Sequence, residues 1–382
     1  MKKFVRAVLV TVGAFALLEA GARLVPARWT DASALASGFQ GTAMLPDPHR
    51  IFRFPAGAVR LADTPTLVDS DGLRISAVQG PTDAPLIFTL GDSSIFGHGV
   101  RDGDTLHDQL QAKLTHAGKP VRVRCGASPG YSTVQALAVL DEVGWPSKPS
   151  LLVVAPMWSD SRLDRYRDAE VIERGSFLDD SAFFKLLRWG VRTANGQPTA
   201  WKVAWPTPSD AGVRRVPLAE YRENLDAILT QARAHNAGVV MLGLPHASWV
   251  AEGNTHSGSS APYIDVLRSV AEARHVPYVD GTDTFVRLGA GRTLFIDRLH
   301  PTGDGQTLLA QAITDVLLTS DWPSNALVPE GGTTTTPLPA DPYDGTTAAP
   351  ADSMRRSMNP GFMEPEGKAH GLPAPPVTAG TQ

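Results

Sequence analysis

Short apolar runs alternate with helix-period segments from residue 86 to residue 317, and nothing else in the chain restricts its fold as tightly. The runs are Leu86–Leu90, Val121–Arg124, Leu151–Ala155, Val239–Leu244 and Val276–Val279. Their length and Leu/Val/Ile content suit strands buried in a sheet core. Between the first two runs Leu106, Leu110 and Leu114 recur at a spacing of four, and Gly118 stops that helix. Ser132 can cap a helix carrying Val134, Leu137 and Ala138. Tyr221, Leu225, Ile228, Leu229 and Ala232 form a third stripe ending near Gly238, and Leu308, Leu309, Ile313, Val316 and Leu317 form another. Strands alternating with helices predict a parallel sheet with helices on both faces, its crossovers right-handed.

The 382 residues leave room for one large or two medium domains, and 42% hydrophobic with 19% charged residues suits a chain with a sizeable core. A net charge of -4 without a long basic run gives nucleic-acid binding little electrostatic support. Cys125 is the only cysteine, so no intrachain disulfide and no thiolate zinc cluster can form. Lys2, Lys3 and Arg6 precede the uncharged apolar run Ala7–Leu18, and Ala20-Gly21-Ala22 resembles a cleavage site. Residues 1–25 are therefore expected to be an export signal or a membrane anchor, cleaved or retained. The expected location is outside the cytoplasm, on the periplasmic side of the inner membrane or secreted. Residues 26–84 show no sustained period and read as a wrapping or linker segment. Residues 85–320 form the domain, with an insertion at 159–216 that holds Phe177, Phe183, Phe184, Trp189, Trp201 and Trp205. It follows a strand end and is expected to cover a site as a lid. The segment 321–382 has eleven prolines, a Thr333–Thr336 run and little aliphatic content, so it is expected to be disordered.

The first run ends abruptly in Gly91-Asp92-Ser93-Ser94. In open parallel sheets ligands bind at that end of the strands. A serine there can be a nucleophile or a helix cap; a nucleophile needs a base and a group that orients the base. Phe295-Ile296-Asp297-Arg298-Leu299-His300-Pro301 offers both, after the last strand and just before the final helix. An acid and a histidine three apart in a turn can hydrogen-bond and present the imidazole to the same sheet edge as Ser93. Ser94 reads as a helix N-terminal hydroxyl and Asp92 as a structural hydrogen-bonding group. His98, between Gly97 and Gly99, and His246, after Leu244-Pro245, lie near the same edge and are weak candidates for substrate contact. Arg214 and Arg215 could meet an anionic group. Gly97-x-Gly99 lacks the glycine pattern of a phosphate-binding loop.

Gly91-Asp92-Ser93 after a strand, with Asp297-x-x-His300 before the last helix, resembles the SGNH/GDSL hydrolase family. The likeness spans residues 61–318 in pattern and includes Val68-Asp69-Ser70-Asp71-Gly72-Leu73-Arg74, which resembles a lead-in of exported bacterial members. It implies a three-layer α/β/α, flavodoxin-like fold with Ser93 as nucleophile, His300 as general base and then acid, and Asp297 orienting the imidazole. It also implies an oxyanion hole from the N–H groups of Ser93 and of the glycine in a motif after the second strand. This chain reads Cys125-Gly126-Ala127-Ser128-Pro129-Gly130-Tyr131 there, with Ala127 at the glycine position and Gly126 available if the turn shifts by one. The third motif ends in Asn-Asp in the family and in Ser159-Asp160 here, so Ser159 stands where an amide donor is expected.

The resemblance thus implies a serine esterase that cleaves O-acyl, foremost O-acetyl, esters of small molecules or glycans through an acyl-serine, with no cofactor or metal. Two alternatives stay open: transfer of the acyl group to an envelope glycan, and a non-catalytic glycan-binding module. The membrane is an expected partner through the N-terminal segment, and the oligomeric state is open.

Overall fold

The computed structural model describes residues 2–25, 44–61, 64–164, 167–173, 181–194, 212–289, 291–341 and 343. Helix α1 (Lys2–Arg23) is followed by two antiparallel hairpins, β1 (Leu45–Asp47) with β2 (Ile51–Arg53) and β3 (Gly57–Leu61) with β4 (Thr64–Val68). The central sheet comprises β5 (Leu86–Gly91), β6 (Arg122–Cys125), β7 (Leu151–Ala155), β10 (Gly238–Gly243) and β11 (Tyr278–Asp280), all parallel, in the order β11-β10-β7-β5-β6. Counted within the sheet this is 2-1-3-4-5, the flavodoxin-like order, whose ligand crevice opens where the winding reverses beside the first strand. Every residue of β5, β7 and β10 is buried, which explains their unbroken apolar runs. A short hairpin of β8 (Leu163–Asp164) and β9 (Val213–Arg214) brackets the insertion.

The helices are α2 (Ser93–Phe96), α3 (Leu106–His116), α4 (Thr133–Val139), α5 (Asp168–Glu173), α6 (Ala182–Ala194), α7 (Leu218–Ala234), α8 (Ala247–Ala251), α9 (Ala261–Ala273), α10 (Gly281–Arg287) and α11 (Gly303–Thr319). From β5 the chain steps to one edge through α3, then winds the other way through α4, α7 and α9. With right-handed crossovers these two directions put their helices on opposite faces. Accordingly α3 packs on α11, while α4 and α9 pack on α7. The expected three-layer domain is present, with strand limits shifted by at most two residues.

Residues 44–84 close one side of the core: Phe52, Phe54, Leu61 and Leu73 are buried in it. Helix α1 docks on α6 of the insertion. Phe15 packs against Phe183 and Phe184, and Glu19 accepts hydrogen bonds from Ser181 Oγ and the N–H groups of Ala182 and Phe183. Those bonds hold the Glu19 carboxyl down at about 2 against the opposing effect of burial. Phe183 and Phe184 therefore serve α1, whereas Phe177, Trp201 and Trp205 and the side chain of Trp189 lie outside the described residues. Among the described residues no helix is long and apolar enough to cross a membrane.

The expectation of disorder from residue 321 onward is corrected for 321–341. Trp322 is 1% exposed, Val239 N–H donates to Leu327 O, and Arg274 binds Glu330 O as well as Asp226. Thr334, also buried, donates its N–H and hydroxyl to the two oxygens of Asp226. A segment poor in aliphatic residues is held here by side chains of the domain that bind its backbone, a source of order that composition does not register. Residues 344–382 lie outside the described residues.

Candidate active site

Strand β5 runs through the core and stops at Gly91, where a Cβ would sit 2.7 Å from Ile95 Cγ1 and 3.1 Å from Ala155 O. Only glycine lets the chain turn this tightly into α2. Asp92 caps that helix, one oxygen accepting from Ser94 N–H at 3.0 Å. Its other oxygen accepts from Trp158 N–H at 3.0 Å, and the N–H of Ser159 also bonds this carboxylate. Asp92, expected to be structural, thus ties the turn after β5 to the loop after β7. Burial raises its pKa above the ordinary value even though these N–H groups and the charge of His300 pull the other way.

The segment 295–301 folds back on itself: Phe295 bridges Pro301, and Ile296 N–H donates to His300 O. Asp297 Oδ1 accepts from the N–H groups of Leu299 and His300, at 2.7 and 2.9 Å, so the carboxylate organises the turn that carries its own partner. His300 Nδ1 lies 2.6 Å from Asp297 Oδ2, and His300 Nε2 lies 2.8 Å from Ser93 Oγ. Burial alone would raise the Asp297 carboxyl. The hydrogen bond and charge of His300, with the two backbone N–H groups, outweigh it and hold the pKa well below the carboxylate range. Two residues fasten this loop to the turn that carries Ser93: Ser94 Oγ donates to Leu299 O at 3.0 Å, and Gln306 Nε2 donates to Ser94 O at 2.8 Å. Ser94 is therefore engaged in structure, as expected. A hydroxyl, an imidazole and an ionised carboxylate in line can move a proton from oxygen to nitrogen and keep the resulting imidazolium paired.

Ser159 is buried three residues beyond Pro156, and Ala127 is fully buried beside the end of β5. Among the described residues the N–H groups of Ser93 and Ala127 take no hydrogen-bond partner. Gly126 is a correction: its N–H is consumed by Thr89 O at 2.8 Å, so the turn does not shift to offer it. A Cβ at Gly126 would lie 2.2 Å from Phe88 Cε1, so glycine is required there for packing.

The two weaker histidines do reach this edge. The His98 ring packs on the His300 ring at 4.6 Å between centroids, and burial, helped by the charge of His300, pushes its pKa down to about 4. His246 Nδ1 caps α8 by accepting from Ser248 N–H, and its ring lies 5.6 Å from Trp158 and 5.4 Å from Trp249. Burial and Arg298 push it to about 4 as well, so both imidazoles are neutral at pH 7. Arg214 and Arg215 are not exposed anion receptors. Each is buried in an ion pair, with Asp341 and Asp168 respectively. The sequence reading missed Arg74, which ends the lead-in motif. Buried, it donates to the carbonyls of Phe96, Gly97 and Val100 and to Asp102, fixing the loop that holds His98.

Residues 209–308 match the GDSL-like lipase/acylhydrolase family. No curated protein matches the chain. Among solved structures, the lipase/acylhydrolase from Enterococcus faecalis is 17% identical with a TM-score of 0.42, over 61% of this chain and 95% of that one. Axe2, an acetylxylan esterase from Geobacillus stearothermophilus, is 16% identical with a TM-score of 0.42, over 60% and 93%. The psychrotrophic esterase EstA from Pseudoalteromonas sp. is 16% identical with a TM-score of 0.39, over 63% and 99%. Overlaps at this level do not carry the assignment. The matched stretch holds β10, β11 and Asp297-x-x-His300, and the turn after β5 delivers Ser93 to them; over residues 209–308 the chain is similar to GDSL-like lipases and acylhydrolases, a match that supports a serine hydrolase of carboxylic esters.

Proposed function

We propose that the chain hydrolyses short O-acyl esters, O-acetyl groups on a carbohydrate foremost, with Ser93, His300 and Asp297 as its catalytic triad. The observation that carries this reading is the unbroken contact line Ser93 Oγ–His300 Nε2 at 2.8 Å and His300 Nδ1–Asp297 Oδ2 at 2.6 Å. Ser93 Oγ attacks the ester carbonyl while His300 Nε2 takes its proton. Asp297, held ionised, stabilises the imidazolium. The developing oxyanion is met by the N–H groups of Ser93 and Ala127 and by the Ser159 hydroxyl in place of an asparagine amide. Collapse expels the alcohol, which receives the proton from His300, and a water deprotonated by His300 then releases the acid from the acyl-serine.

A short acyl group is supported by the walls around Ser93: His98, Ala127, Trp158 and Ser159 are all buried. A glycan alcohol is supported by the half-buried, neutral imidazole of His246 on the same edge. Export and an envelope location are supported by the N-terminal cations followed by an apolar run.

The test is covalent labelling by a fluorophosphonate probe together with release of acetate from acetylated xylo-oligosaccharides and p-nitrophenyl acetate. Wild type labels and turns over, whereas Ser93→Ala does neither. Acetate that appears on an added oligosaccharide instead of in solution would replace hydrolysis by acyl transfer. A wild type that neither labels nor turns over would overturn the reading.

A further inference from the structure

Asp341, in the C-terminal segment, is linked through Arg214 to the loop that carries Ser159. Arg214, in β9, is 2% exposed and stands at the junction. Its Nη1 donates to Ser161 O, and its Nη2 donates to Ser259 O at 2.8 Å. Asp341 grips the same guanidinium with both oxygens, at 3.0 Å to Nε and 2.6 Å to Nη2. The Tyr343 ring lies 4.6 Å from the guanidinium carbon and the Tyr263 ring 5.3 Å. The guanidinium is therefore held in plane by a bidentate carboxylate while its remaining donors point at two loop carbonyls, a geometry lysine could not reproduce.

The loop 157–161 is pinned at its start, at Asp160, whose Oδ1 accepts from Thr133 N–H and Oγ1, and at its end. At its start, Asp92 holds the N–H groups of Trp158 and Ser159. At its end, Arg214 holds Ser161 O, and Ser161 Oγ contacts Ser260 Oγ at 2.7 Å. Ser159 is held by Asp92 through its own N–H and is followed directly by the anchored Asp160 and Ser161, and its short side chain leaves little slack for loop displacement. Without Asp341 the guanidinium would be a buried cation facing carbonyls alone, and it would swing toward water.

We propose that Asp341 is a positioning residue for the reaction: through Arg214 it fixes the Ser161 carbonyl and with it the hydroxyl of Ser159. This rests on the reading of Ser159 as an oxyanion donor. The C-terminal segment is then part of the active-site framework, although it is distant in sequence from every residue of the triad.

The full chain and its Asp341→Asn, Asp341→Glu and Thr334→Val variants are compared in p-nitrophenyl acetate hydrolysis, with thermal unfolding followed alongside. Asp341→Asn is expected to lower kcat about tenfold with KM within twofold, since displacing a group by about 1 Å can cost up to a hundredfold. Asp341→Glu, which keeps the charge, should restore at least half of that loss. Thr334→Val removes an anchor away from the loop and should keep wild-type kcat. In a Ser159→Ala background Asp341→Asn should add no further loss. Wild-type kcat in folded Asp341→Asn overturns the proposal, as does a fully additive loss on Ser159→Ala. Should Asp341→Asn fail to fold, Arg214→Lys, which cannot hold both loop carbonyls and the carboxylate, takes its place, and wild-type kcat in folded Arg214→Lys overturns the proposal. Activity lost in Ser93→Ala is read separately, so the proposal can fail while the triad stands.

Discussion

Replacing Asp92 by Asn keeps the shape of the side chain and reverses half of its hydrogen-bonding capacity. In the wild type both oxygens accept: Ser94 N–H on one, and Trp158 N–H with Ser159 N–H on this buried carboxylate as well. An amide offers one accepting oxygen, and its NH2 must face the remaining backbone donors. Turned one way, Asn orphans the N–H groups of the Trp158–Ser159 loop; turned the other way, it orphans the cap of α2. The variant takes the cheaper turn, which still leaves at least one buried donor unsatisfied, at about 1–3 kcal/mol. For a domain of this size that lowers the melting temperature by roughly 2–12 °C. Because the carboxylate joins the turn that carries Ser93 to the Ser159 loop, kcat should fall together with stability, by about a hundredfold, at temperatures where the variant is fully folded. Thermal unfolding by near-UV circular dichroism and p-nitrophenyl acetate kinetics at 20 °C measure the two effects. A variant that melts within about 1 °C of wild type, or one that melts early but turns over normally when folded, would refute the bridging role.

Ser159→Ala should lower kcat tenfold to a few hundredfold with little change in KM, and Ser159→Asn should retain or raise activity, both read by steady-state ester kinetics. Burial raises Asp160 to about 7, with hydrogen bonds from Thr133 opposing the rise, and its Oδ2 has no partner. The native state therefore keeps a proton that the unfolded chain releases from about pH 4 upward, so stability declines as pH rises toward 7 and then levels. Asp160→Asn should flatten that decline, by on the order of 4 kcal/mol at most, in urea unfolding between pH 4 and 8. Deleting residues 322–382 removes the buried Trp322 and the bonds of Thr334 to Asp226 and of Arg274 to Glu330 O, leaving the Asp226–Arg274 pair uncovered, so melting should drop by at least about 5 °C in calorimetry.

The local patterns settled much of this protein unaided. Buried parallel strands must be apolar on both faces, so Leu86–Leu90, Leu151–Ala155 and Val239–Leu244 declared themselves, and helix periodicity between them left a parallel α/β sheet as the one economical arrangement. Asp297 and His300 were legible as a pair because their hydrogen bond is made within a single turn, where spacing alone sets the geometry. Ser93 was legible because a core strand that ends in Gly-Asp-Ser exposes a hydroxyl at a sheet edge. What spacing cannot encode is a bond between segments that meet only after the sheet is wound. Asp92 reaches Trp158, Ser94 reaches Leu299 and Arg74 reaches the carbonyls around Gly97, contacts that only the strand order β6-β5-β7 and the wrapping hairpins bring about. Gly126 looked like a donor in the linear motif, but parallel pairing with β5 assigns its N–H to Thr89. The C-terminal segment misled most, because composition weighs the apolar area a segment brings and not the buried arginine and aspartate side chains waiting to bind its backbone. Order in that segment is conferred from outside it, by Asp226, Arg274 and Arg214, and so only the tertiary structure could decide it.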